Sequence, residues 1–302
     1  MQKHLSLNRF LIAFILILFS GLASNAQSIK GLYVDDFFNI ISDYQKENKL
    51  LRYAEINDFN YLILYNTAKI HRQKYPLNTK MGTKVWAEFI KKAKSKYSIK
   101  KIGVVGEKAA SFIPVIIYNN LVDQNPVKRI DVFNLEFEFW NKRLYNQQAY
   151  YCTTYLKKYG YDCTNAGAFK FYIKQLKEIQ KIIGNSNIEI ETYIGNPTDE
   201  QLAVISESTD RLLIHYYRKK TERIASYKLN RLLVLQQANP KLKIAPIFSS
   251  RENHSGLWLK NHKINQLSSL FFYQLKLIPE INLDSLNFDG VVWYRYSDMP
   301  KN

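Results

Sequence analysis

Two cysteines, 11 glycines and 8 prolines in 302 residues are too few for a disulfide-built scaffold, a collagen-like repeat or a low-complexity chain. Cys152 and Cys163 leave two readings open in an exported chain, one bridge closing a short loop or a pair of free thiols. The five histidines, at 4, 71, 215, 254 and 262, do not sit at ligand spacing. With only two thiols beside them a zinc site is incomplete, so no metal is expected and His215 reads as a barrel histidine. No phosphate loop, no Gly-x-Ser-x-Gly elbow and no His-Glu-x-x-His helix occurs, and no cofactor is expected. Long apolar runs are also scarce. The one near the N-terminus, Phe10 to Phe19, is too short to span a bilayer comfortably, and nothing comparable follows it.

That run sits between Lys3 and Arg9 on one side and the small residues Ser24-Asn25-Ala26 on the other, the pattern of a secretory signal peptide over residues 1–26. The expectation is an exported protein, periplasmic or extracellular, with no integral membrane segment in the mature chain. The remainder, 27–302, shows no linker or short repeat and reads as a single domain. Its 46% hydrophobic content suffices for a sizeable core. The 43 Lys and Arg against 26 Asp and Glu give a net charge of +17, which bears on solubility and nonspecific partners rather than on fold. Basic runs such as Lys91-Lys92-Ala93-Lys94-Ser95-Lys96 read as a solvated helix face, and no nucleic-acid module accompanies them.

Eight β-branched or aromatic runs alternate with helical patterns: Gly31 to Phe37, Tyr61 to Tyr65, Lys101 to Val105, Ile130 to Glu138, Ile188 to Ile194, Arg211 to Tyr217, Lys243 to Phe248 and Phe288 to Tyr294. Helical stretches such as Thr83 to Lys96, Ala166 to Ile183, Asp199 to Ser208, Ile224 to Gln237 and Ile264 to Leu277 are long enough to serve as parallel crossovers. The pattern predicts an α/β protein, a (β/α)8 TIM barrel. A doubly wound open sheet is the alternative, but the turn Asp35-Asp36-Phe37-Phe38 lacks the glycines that cradle a pyrophosphate. The chain ends soon after the eighth strand. No closing eighth helix is expected, which leaves that seam bare or covered by a neighbouring segment or a partner.

In such a barrel the site lies at the C-terminal ends of the strands. The fourth run, Ile130-Asp131-Val132-Phe133-Asn134-Leu135-Glu136-Phe137-Glu138-Phe139, alternates polar and apolar residues. Period two puts Asn134, Glu136 and Glu138 on one face, with Phe133, Leu135, Phe137 and Phe139 toward the helices. Two interior carboxylates about 6.6 Å apart along the strand raise each other's pKa, so one can remain protonated and act as an acid. The tyrosine-rich stretch from Trp140 to Asn165 would lie at the site's mouth, either as sugar-stacking rings or as a packed surface helix.

The spacing Asp131-x-x-Asn134-x-Glu136-x-Glu138 resembles the DxxDxDxE signature of family-18 glycoside hydrolases, the chitinases and endo-β-N-acetylglucosaminidases. Gly290-Val291-Val292-Trp293-Tyr294 is similar to that family's Gly-Val-x-x-Trp last strand, and His215-Tyr216-Tyr217-Arg218 resembles its Met-x-Tyr-Asp strand. The resemblance implies a glycan containing β-linked N-acetylglucosamine as substrate, hydrolysed with retention through attack by the substrate's own acetamide. Glu138 would be the general acid, Glu136 would orient the acetamide, and Tyr217, or Tyr216 after a one-residue shift, would hydrogen-bond it. Asn134 would support the motif, and Trp293 would stack under the sugar. Glu136 and Asn134 replace family Asp residues, and the third strand, Ile102 to Glu107, lacks the family's Ser-x-Gly-Gly. Those departures keep two rival readings open: a glycan-binding protein on the same barrel, and an assembly protein using the bare seam.

Overall fold

The computed structural model describes residues 28–301; the expected signal peptide lies outside them. Eight strands run in chain order around a closed barrel: β1 (Ile29–Val34), β2 (Tyr61–Leu64), β3 (Lys101–Gly106), β4 (Val132–Leu135), β5 (Glu189–Ile194), β6 (Arg211–His215), β7 (Lys243–Ser249) and β8 (Gly290–Tyr294). Every pairing is parallel, including the closure of β1 on β8, where Gly31 pairs with Val292. The principal crossovers are α1 (Tyr44–Ile56), α2 (Lys80–Lys96), α3 (Ile113–Leu121), α4 (Asn165–Ile183), α5 (Asp199–Ser206), α6 (Leu229–Ala238) and α7 (Ile264–Lys276). This is the predicted (β/α)8 barrel. Among the described residues no helix is long and apolar enough to cross a membrane.

Local sequence explains the helix boundaries. The Thr164 hydroxyl accepts from the Gly167 amide to start α4, and Thr198 and Gln201 form a reciprocal capping box at α5. Helix α4 then buries Phe171, Tyr172, Leu176 and Ile179, a stripe at helical spacing that packs on the barrel's outer wall. Parallel strands buried on both faces explain why the runs are so uniformly apolar.

The strands' period of two separates two cores. Outward residues such as Leu32, Leu62, Val104, Phe133 and Phe248 pack against the helices. Inward ones, including Tyr33, Tyr61, Ile63, Val132, Tyr193 and Leu213, fill the barrel. Gly103 makes room within that interior, since a Cβ there would lie 2.5 Å from the Tyr61 hydroxyl.

The interior also carries charge. Arg211, fully buried, reaches Glu191 at 3.1 Å, Glu189 at 2.7 Å and Asp289 at 2.8 Å. Lys101 and Lys243 complete Glu189 at 2.7 and 2.9 Å. Glu191 Oε1 accepts from the Tyr61 hydroxyl at 2.8 Å and from Asn134 Nδ2 at 2.7 Å. The surrounding cations hold the Glu189 carboxyl down at about 2 despite its burial.

The seam beside β8 is not bare. Tyr296, in the turn after β8, packs edge-on against Tyr53 of α1 at 5.5 Å, and Met299 is buried in the same cluster. Lys30 Nζ donates to Asn57 O at 2.5 Å and to the Asn265 side chain, so it ties α1 to α7 across the gap. The segment after β8 thus covers part of this seam.

Replacing Arg211 by Met is expected to destabilise the protein by about 3–5 kcal/mol, because it strands buried carboxylates without a partner. Urea denaturation at neutral pH measures this, and a loss below about 1 kcal/mol would mean that the network is not needed for barrel closure.

Candidate active site

At the C-terminal mouth of the barrel lies a cavity of about 280 Å³. Its walls follow from strand parity: Tyr33, Tyr65, Tyr193, Tyr217 and Tyr294 are inward residues at or just past the ends of β1, β2, β5, β6 and β8. From β4 come Glu136 and Glu138. Strand β4 itself ends at Leu135, so both carboxylates project from extended chain beyond the last ladder pairing. Phe133, Leu135, Phe137 and Phe139 all face the helices, as the alternation requires.

The two carboxyls meet at one oxygen. The Tyr193 hydroxyl lies 3.1 Å from Glu136 Oε1 and 3.0 Å from Glu138 Oε1. A hydroxyl has one proton to donate, so satisfying both contacts at once calls for a proton on one of the carboxyls. Glu136 is the group whose environment favours it. Burial pushes its carboxyl up to about 7, the hydroxyls of Tyr65 and Tyr193 pull the other way, and the charges of Glu138 and Glu107 add to the rise. Its Oε2 is buried without a hydrogen-bond partner. Glu138 is held at both ends: Asn141 Nδ2 donates to its Oε2 at 2.7 Å, and its backbone N–H donates to the Tyr151 hydroxyl at 3.1 Å.

That last contact explains the tyrosine-rich excursion. Tyr151 stacks on Phe137 at 4.0 Å and Tyr155 on Phe171 at 5.8 Å, so these rings pack behind the acidic strand and do not line the cavity. Cys152 and Cys163 are bridged, with Cα atoms 5.2 Å apart, which resolves the two readings of the cysteines in favour of the disulfide. The bridge staples the excursion that supports Glu138. The Tyr150 and Tyr155 hydroxyls donate to Glu107 Oε2 and fix it to the same segment.

Of the six residues expected at the site, Glu136, Glu138 and Tyr217 line the cavity and three do not. Trp293 has outward parity on β8; it is fully buried against Phe248, 5.4 Å between rings, and Tyr294 takes the inward place. Tyr216 also faces outward, edge-on to Phe271 of α7 at 4.7 Å. Asn134 points inward but one layer too deep, where its amide donates to Tyr33 at 3.0 Å and to Glu191. It joins the floor to the charge network and has no exposed surface for a ligand.

Sequence reasoning missed Tyr33, Tyr65, Tyr193 and Tyr294. The available signal was a tyrosine of the same parity at the end of strand after strand. His215, which the sequence reads as a barrel histidine, also lines this cavity. It stacks between Tyr193 at 4.7 Å and Tyr217 at 4.2 Å. Burial, helped by the nearby charges of Arg231, Lys228 and His254, pushes it down to about 3, so the imidazole is neutral. The site is therefore a tyrosine-walled pocket in which two carboxyls share one tyrosine hydroxyl.

No protein-family model matches the chain, and no curated protein matches it by sequence. Solved structures do match, and glycoside hydrolases are among them. A subfamily-18 member of glycoside hydrolase family 5 from Bifidobacterium longum, in complex with Manβ1-4GlcNAc, shares 10% identity over 88% of this chain and 69% of its own, with a TM-score of 0.55. A β-glucosidase from Thermotoga maritima shares 8% over 89% and 88%, at 0.51. A family-18 chitinase from Pseudoalteromonas aurantia shares 12% over 89% and 95%, at 0.46. At such identities the likeness is one of fold, the closed (β/α)8 barrel.

The raised Glu136 carboxyl carries a pH signature. Its folded value lies above the ordinary Glu value, so its contribution is complete at acid pH and is lost as pH rises through about 7. Relative to the parent, Glu136→Gln is expected to gain roughly 2–4 kcal/mol between about pH 4 and pH 8. Parallel denaturation curves across that range test the shift, and parallel pH profiles for parent and variant would refute it.

Proposed function

We propose that the chain is a glycoside hydrolase that cleaves glycans containing β-linked N-acetylglucosamine with retention of configuration. The observation that carries the reading is the Tyr193 hydroxyl shared by Glu136 and Glu138 at the floor of a tyrosine-walled cavity. The contacting oxygens, 3.1 and 3.0 Å from one hydroxyl, lie closer together than the roughly 6.5–9.5 Å that separates an inverting pair. Attack by the acetamide carbonyl oxygen on the anomeric carbon is what the resemblance of the β4 motif to family-18 glycoside hydrolases implies.

In this reading Glu138, the carboxyl at the motif's last position, protonates the departing glycosidic oxygen. Glu136 holds the acetamide in place and stores the shared proton until Glu138 has given up its own. Tyr193 lets that proton pass between them: its oxygen accepts from Glu136 as its own O–H donates to Glu138. Tyr217 offers its hydroxyl to the acetamide, and Tyr294 supplies the ring face that the sequence resemblance had given to Trp293. The basic leader with its apolar run and the Cys152–Cys163 bridge support export to an oxidising compartment.

Incubating the mature protein with N-acetylglucosamine oligosaccharides and N-glycans from about pH 4 to about pH 8, with products read by mass spectrometry, tests the reading. Glu138→Gln is expected to lower turnover by about 10²–10⁴-fold with binding little changed. Trp293→Ala is expected to lower stability by about 3–5 kcal/mol without a specific loss of sugar affinity. Saturable binding with no product at any pH would instead make the cavity a recognition site.

A further inference from the structure

A second cluster lies on the same end of the barrel, outside the catalytic cavity. Lys228 closes the short 3₁₀ turn Ala225–Lys228, and Arg231 follows one turn into α6. Both converge on one acceptor: Lys228 Nζ and Arg231 Nη2 each donate to Asn196 Oδ1 at 2.7 Å. Arg231 is only 9% exposed, and its Nη1 is buried without any partner. Arg218 joins them, its guanidinium 4.4 Å from the Tyr227 ring on which Lys228 also sits at 4.3 Å. Among the described residues none of the three cations makes a salt bridge; Asp199, on the wall of the same hollow, acts on Arg231 only through space.

A buried guanidinium and a half-buried ammonium without a counter-charge are costly, and one amide oxygen shared between them is poor compensation. The cations repel one another: burial and the neighbouring Arg231 and Arg218 push Lys228 down to about 8. Other arginines of this chain are treated differently. Arg211 is met by three carboxylates and Arg295 by two. A cavity of about 400 Å³ opens onto Lys228 and Arg231, which is room for a group with several acceptor oxygens.

We infer that Lys228, Arg231 and Asn196 frame a binding site for a compact oxyanion, a sulfate or phosphate group. Such a group presents oxygens to the guanidinium fork and to the ammonium together, where Asn196 now offers one. The site adjoins the catalytic cavity through His215, which both cations depress. If the proposed glycan reading holds, an acidic substituent on a sugar in that cavity is one source of the anion, and a free ion is the other.

The experiment uses the mature chain and needs no turnover, so its failure is separate from failure of the hydrolase reading. Sodium sulfate and sodium phosphate are titrated against sodium chloride at matched ionic strength, following the melting temperature. The expected result is a saturable rise with sulfate or phosphate and none with chloride. Lys228→Ala and Arg231→Met each weaken the apparent affinity by about tenfold or more, and the surface control Lys219→Ala leaves it unchanged. Arg231→Met retains the side chain's bulk and removes an unmatched buried charge, so without anion it melts no lower than the parent. A sulfate effect equal to that of chloride, or an undiminished response in both variants, overturns the proposal. Sulfated N-acetylglucosamine separates the sources: tighter binding than either the plain sugar or inorganic sulfate places the anion on the glycan. No gain over inorganic sulfate supports a site for a free anion.

Discussion

The interior of a closed barrel is a place where no side chain can turn away. Each strand delivers every second residue to it, so a polar group of inward parity must find its partner inside. In this chain the demand is met at one end by Arg211, whose guanidinium gathers Glu189, Glu191 and Asp289. From Glu191 the network climbs through Asn134 to Tyr33, on the cavity floor. The architecture below the site is thus what allows two more carboxyls, Glu136 and Glu138, to stand above it.

The layers also divide the labour. The lower one is saturated with opposite charges and holds Glu189 at about 2. The upper one has carboxyls and hydroxyls, and there the balance tips the other way: Glu136 is pushed up to about 7 because burial outweighs what its tyrosine partners give back. Two carboxyls of the same barrel are therefore set apart by their surroundings, one locked as a charge and one poised to hold a proton at neutral pH. The tyrosine wall contributes twice, as hydrogen-bond donors to the carboxyls and as flat apolar surface. Behind β4, the bridged excursion adds rigidity through the Tyr151 contact to Glu138.

Much of this was written in the order of residues. Eight runs, their crossover helices and the alternation of β4 all follow from local periodicity, and Glu136, Glu138 and Tyr217 reach the cavity as that alternation demands. The misplacements have a common cause. Trp293 and Tyr216 were assigned by resemblance to a pattern, and each is one residue out of phase with the inward face. Asn134 has the right phase and the wrong depth. Phase is local and can be counted along a strand, whereas depth depends on the stagger between strands, which registers such as Asn134 with Glu191 reveal only after closure.

The sequence by itself determined the strand–helix alternation, the inward parity of the acidic residues and the excess of basic charge, because these depend on neighbours within a few positions. Only the tertiary structure decided which groups meet. Tyr193 reaches the carboxyls from across fifty-odd residues, and Arg211 collects its carboxylates from β5 and from the approach to β8. Lys228 and Arg231 share an amide and, among the described residues, form no salt bridge. The bridge between the two cysteines was open in sequence and closed by geometry. Pairing, depth and burial are properties of distances through space, and it is these that set the pKa of Glu136 and make a cavity of what a linear reading shows as scattered tyrosines.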